Sequence, residues 1–274
     1  MALLRPLRLF LPVLLIICAG SLRAAPDVDT LARVLRVDDL AQTLHAEGVQ
    51  HGQTLDQQML DGRGGAHWAQ QVARVYSAER IASAIRQALD TELDPRQRQD
   101  CLAFFDSPLG REILSLEIAA RVSMRAAEVE EAARAVHQAL RDSDDARLAA
   151  VTRFVAVNDL IERNVAGTMS ASFQFYRGLA EGEMLGLDEG AILDEVWSEE
   201  AQTREETEGW LFAYLLMAYQ PLAPDELERY IGFSSSPAGQ ALNAALFDGF
   251  DALYQRISYE LGLRLAAAMK ASDI

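Results

Sequence analysis

Chemistry needs particular side chains at particular spacings, and the histidines are the first place to look. His45, His51, His67 and His137 all lie in the first half of the chain. Glu47 and His51 stand four residues apart, a spacing that puts both on one helix face, as metal ligands are placed, with His67 a conceivable third ligand. The segments around them are polar and broken by glycine, so solvated side chains are the favoured reading. No His-Glu-x-x-His is present, and no Glu-x-x-His pair that would support a di-iron bundle. Lys270 is the single lysine and lies four residues from the C-terminus, which disfavours Schiff-base or Ser-Lys chemistry. Cys101 sits beside Leu102 and Phe104 and reads as a small core residue.

The remaining sequence signals for catalysis fail in the same way. Gly62-Arg63-Gly64-Gly65 has no strand before it, so it reads as a turn and not as a dinucleotide loop. Gly232 to Ser236 lacks the final glycine of a nucleophile elbow. Glu128, Glu130 and Glu131 crowd one segment, and Glu199, Glu200, Glu205, Glu206 and Glu208 another. Both read as solvated helix faces, with Arg134 and Arg204 as spaced partners. No catalytic residue, cofactor or metal is therefore expected.

The elements that would position any site are helical. Ile81, Ile85 and Leu89 form one apolar stripe, and Val151, Phe154, Val157, Leu160 and Ile161 another. No alternating stretch suggests a strand, so the expected class is all-α. The run from Trp210 to Tyr219 is apolar on every side but only ten residues long, which suits a buried helix and not a membrane span.

An internal repeat organises the chain. Leu93-Asp94-Pro95 returns as Leu222-Ala223-Pro224, and Phe104-Phe105-Asp106-Ser107-Pro108-Leu109-Gly110 as Phe233-Ser234-Ser235-Ser236-Pro237-Ala238-Gly239, at a common offset of 129. The same offset pairs Trp68 with Trp197. Val37 to Leu40 matches Val157 to Leu160 at 120, which implies nine extra residues in the second copy, assigned to 178–190. The expected units are 28–145 and 146–274, joined at Asp142 to Asp145 and packed as a helical array. Each should hold two helices, a long apolar helix, a short helix ending at Phe104 or Phe233, and a final long helix. Ser107 and Ser236 are placed to cap that final helix, with Pro108 and Pro237 at its first position. Gly110 and Gly239 imply the close approach of another helix, with Phe104 or Phe233 as the packed neighbour, and an anion site at the helix start is the lesser alternative.

This Phe-x-x-Ser-Pro-x-Gly signature resembles that of a bacterial exported helical family known as domain of unknown function 2059. The matching residues are Phe104, Ser107, Pro108 and Gly110, then Phe233, Ser236, Pro237 and Gly239. Phe105 fits the family's second aromatic and Ser234 departs from it. The resemblance implies an all-helical exported protein and brings no catalytic residues with it.

Targeting and charge agree with export. Arg5 and Arg8, the apolar stretch Leu9 to Ala19, and Ala24-Ala25 read as a signal peptide over 1–24, which points to a periplasmic or secreted protein with no stable membrane insertion after cleavage. Without Arg5, Arg8 and Arg23 the formal charge of −16 becomes −19. Such acidity argues against nucleic acid as a partner. The expected role is a non-enzymatic binding or structural module that meets another envelope protein. The alternative is a carrier of a small apolar ligand, held between helices near Phe173, Phe175, Tyr176, Trp210, Phe212 and Tyr214.

Overall fold

The computed structural model describes residues 27–184, 186 and 188–272, and every regular element among them is an α-helix. The signal-peptide reading of 1–24 lies outside the described residues. The first half runs α1 (Val28–Val34), α2 (Val37–Met59), α3 (Gly65–Val75), α4 (Ala78–Glu92), α5 (Pro95–Phe105), α6 (Pro108–Ser123) and α7 (Ala127–Leu140). The second runs α8 (Ala146–Val157), α9 (Leu160–Glu181), α10 (Glu189–Ser198), α11 (Glu200–Ala218), α12 (Pro224–Ser234) and α13 (Pro237–Ser272).

Local chemistry starts many of these helices. Asp94 caps α5 by accepting from the Arg96 and Gln97 amides, while Gln97 reaches back to the Asp94 amide. Ser107 accepts from the Gly110 amide at 3.1 Å, and Ser236 from Gly239 at 3.1 Å, as the Ser-Pro order requires. Asp145 caps α8, so the acidic junction is the turn between α7 and α8. Two joints depend on a conformation that the side chain does not announce. Arg36 between α1 and α2, and Asp159 between α8 and α9, are left-handed at φ of 56° and 52°.

Several finer expectations need correcting. Three helices precede the long apolar one in each half, not two. Val37 to Leu40 opens α2, whereas Val157 to Leu160 spans the end of α8, the left-handed joint and the start of α9. Left-handed joints occur at Arg36 and Asp159, 123 residues apart. Helix α11 has 19 residues against 15 in α4, and a longer turn follows it. Glycines drew the extra length to 178–190, but Gly178 belongs to α9 and marks a helix crossing. A single final helix is present only in the second half, where α13 runs 36 residues; in the first half the expected long helix is broken between Ser123 and Ala127 into α6 and α7.

The halves interlock. Helix α13 lies along α9 and crosses to α4, α5 and α3, while α6 and α7 lie on α11. One buried apolar cluster runs from Leu31 through Ile85 and Ile113 to Tyr219, Ile257 and Ala266, so the core is continuous across the 145/146 junction. Packed against it, half-buried, the Phe104 and Phe233 rings stack, 4.1 Å apart and 10° from parallel. Cys101 is fully buried beside them, and its thiol is pushed up to about 12 by that burial.

Candidate functional site

A groove of about 540 Å³, the most enclosed and apolar of three clefts, lies between α2, α9 and α13. Its shape follows from how α9 and α13 pair. Arg163 sits over Phe247, Gly167 faces Asp251, Gly178 meets Gly262 and Gly182 meets Ala266, all 84 residues apart, so the helices run parallel and in register. At Gly178 and Gly262 the backbones touch so closely that a Cβ on either would fall inside contact with the other helix's main chain. That seam closes one end. Toward the start of both helices larger side chains hold them apart, and α2 forms the facing wall.

The walls divide by chemistry. Leu40, Leu44 and Leu55 come from α2, Phe175 and Tyr176 from α9, and Phe250, Tyr254 and Leu261 from α13. Tyr76, at the end of α3, reaches the groove by packing its ring on Gly48, where a side chain would collide with it. Burial pushes the Tyr254 phenol up to about 12. The polar side holds Arg163, Asn164, Thr168, Ser172 and Asp251. Burial, with Asp248 nearby, raises the Asp251 carboxyl above the ordinary carboxylate range, against the opposing pull of Arg163.

His51 and Arg121 form a partition shared with a second cleft of about 460 Å³ that also reaches Trp210 and Arg125. Arg121 is held firmly. Its guanidinium donates to both Glu47 oxygens at 2.8 and 2.9 Å and lies 5.7 Å from the Trp210 ring. Glu47 is thereby engaged by an arginine, and burial lowers His51 below the ordinary imidazole value. No group of three His, Cys, Asp or Glu side chains converges among the described residues. His45 meets the Tyr76 carbonyl at 2.9 Å, His67 faces Gln71, and His137 stacks on Phe212 at 5.0 Å. A third cleft, about 690 Å³, lies across α4, α9 and α13 and is lined by Gln87, Gln174, Arg177, Asp248 and Arg256, a water-facing surface.

The most perturbed carboxyl stands apart from all three clefts. Glu117 on α6 accepts from Tyr219 at 2.7 Å and Tyr230 at 3.1 Å, and its main-chain carbonyl accepts from Tyr214 at 3.1 Å. Desolvation holds it above its ordinary value despite those two hydroxyls. It ties α6 to α11 and α12, is partly buried, and is not among the residues that line these three clefts.

The signature residues expected from the sequence fall into two groups. Phe104 meets Phe233 by ring stacking, while Ser107 and Ser236 each cap the helix that follows, with Pro108 and Pro237 exposed at its first position, so both sets act as helix joints. A Cβ on Gly110 would strike the Phe104 carbonyl and Phe105, and one on Gly239 the Phe233 carbonyl and Ser234, so the close neighbour is the turn just before the glycine. The tryptophans are not equivalent. Trp68 is buried and donates to the Gly52 carbonyl at 2.8 Å, while Trp197 ends α10 at 62 % exposure. Among the aromatics proposed for a carrier, Phe175 and Tyr176 reach the groove and Trp210 the adjoining cleft, whereas Phe212 is core. Phe247, Phe250, Tyr254 and Leu261 were missed, although their spacing is that of one helix face. Arg163 and Asp251 carried no sequence signal, because their importance comes from facing one another across two helices.

No family model, curated protein or solved structure matches the chain.

Proposed function

We propose that this is a non-catalytic binding protein that takes a small, largely apolar ligand into the groove between α2, α9 and α13. The observation that carries the reading is the groove itself: about 540 Å³, walled by leucines and aromatic rings on three helices, with a few polar groups along one side. Small-molecule sites have that build, at roughly 300–1,000 Å³. The reading as non-catalytic is supported by how the candidate carboxylates are engaged within the protein, Glu117 by the Tyr219 and Tyr230 hydroxyls and Glu47 by Arg121. Export, read from residues 1–24, and descent from a duplication belong to the same proposal. The similar helix order of the two halves and their facing signature joints support the duplication, and the signature alone supports kinship with the exported helical family.

A neutral fluorescent hydrophobe, N-phenyl-1-naphthylamine, tests the reading. The full chain should bind it saturably, and replacing Ala171 or Ser258 with Phe, which fills the groove, should abolish binding while leaving the helical circular dichroism unchanged. Unaltered binding in both variants would place the dye elsewhere and defeat the proposal.

A second reading keeps an observation of its own. Leu193 and Trp197, four apart on α10, are 46 % and 62 % exposed, an apolar pair that suits contact with another protein. Replacing both with Ser should leave the melting temperature unchanged and weaken any such contact in cross-linking.

A further inference from the structure

We propose that the ligand is an amphipathic carboxylate whose chain lies on the aromatic wall and whose carboxylate is held by Arg163. This rests on the groove being the ligand site, as proposed above. Arg163 stands on α9 at the polar side of the groove, its Cζ 5.4 Å from the Phe247 ring. Its Nε is buried without a hydrogen-bond partner, and no carboxylate of the described residues lies within the 4.0 Å of an ion pair. The other arginine in the groove, Arg121, is satisfied by both oxygens of Glu47.

The side chain as a whole is half-buried, so its always-charged guanidinium, with Nε enclosed and unpartnered, can take an external acceptor from the groove. Its planar fork matches a carboxylate better than any neutral acceptor. Asp251 is the apparent objection, since it lies one turn beyond Phe247 and rests against Gly167. It forms no ion pair with Arg163, and a carboxyl, unlike a guanidinium, can take up a proton. Protonated, it would donate to an incoming carboxylate instead of repelling it. Asn164 and Thr168 lie along the same side, and Leu44, Leu55, Phe250 and Tyr254 give the chain its apolar bed.

The test displaces N-phenyl-1-naphthylamine from the full chain with three ligands of equal chain length: decanoate, decanol and decyltrimethylammonium. Decanoate should displace the dye at a concentration at least about tenfold below decanol, the ratio that about 1.4 kcal/mol supplies. In Arg163→Gln that advantage should collapse, with decanol unaffected, and Arg163→Lys should restore part of it. The unchanged decanol value certifies that the variant is folded. Equal displacement by decanoate and decanol, or an advantage that survives Arg163→Gln, overturns this inference and leaves the groove reading standing. Preference for the trimethylammonium ligand overturns it in favour of Asp251 as the anchor. A dye that fails to bind at all sinks the groove reading and this one together.

Discussion

Single atoms decide the behaviour of the signature joints. Gly110 and Gly239 have no room for a Cβ, because the preceding turn's main chain occupies it. Valine there regains a little helix propensity, a few tenths of a kcal/mol, and meets an overpacking cost of about 1–3 kcal/mol. Both variants should therefore melt lower, at about 2–4 °C per kcal/mol, and calorimetry that shows an unchanged or raised melting temperature in both would refute the packing account. Glu117 sets a second outcome. Its folded-state value lies above the unfolded 4.5, so the folded protein holds the proton more tightly. Stability from this group is full below that unfolded value and is lost as pH rises through the folded one. Glu117→Gln keeps an acceptor for Tyr219 and Tyr230 without the charge. The stability of the variant relative to the natural protein should climb between pH 4 and 8, read from urea midpoints. A flat difference would show that Glu117 does not titrate as its burial dictates.

At the scale of helices, the contrast among glycines separates propensity from contact. Gly262 faces the Phe175 carbonyl and the Leu179 amide, whereas Gly232 on α12 has no atom within 4 Å of a Cβ. Alanine gains about 1 kcal/mol of helix propensity at either place. Gly232→Ala should raise the melting temperature by a few degrees; Gly262→Ala should lower it, because the backbone of α9 cannot yield as a side chain can. Equal effects would mean that the α9–α13 seam is looser than described. The same contrast explains how much of the fold was readable. The caps at Ser107 and Ser236 were legible, since a side chain answers an amide three residues away and a proline follows; those at Asp94 and Asp145 work the same way but went unread. The left-handed joints were not legible, because Arg36 and Asp159 are ordinary residues forced into that shape by the helices on either side. The break after Ser123 escaped for a similar reason: no proline or glycine marks it, and α7 turns to lie on α11. The groove was least legible, because its walls come from helices far apart in the chain, α2, α9 and α13, whose separation only the packed fold sets.

Across the whole molecule arginines pair with part of the acidic surface, within helices and between them. Arg134 joins Glu130, and Arg204 joins Glu200 and Glu162, on exposed or half-buried faces where such pairs contribute little, about 0–1 kcal/mol each. Raising salt should therefore shift the melting temperature only slightly; a large loss would show that surface pairing matters more than the shared core. That core also dictates order in time. Phe104 meets a partner 129 residues later, and α4 and α5 await α13. A chain emerging from its N-terminal end thus completes seven helices before the surface that covers them exists. Contacts so distant along the chain form slowly, and the waiting apolar faces invite self-association or capture by a chaperone. For a polypeptide read as bound for export, that delay is useful: the first half stays loose enough to be threaded until its last helix has been made.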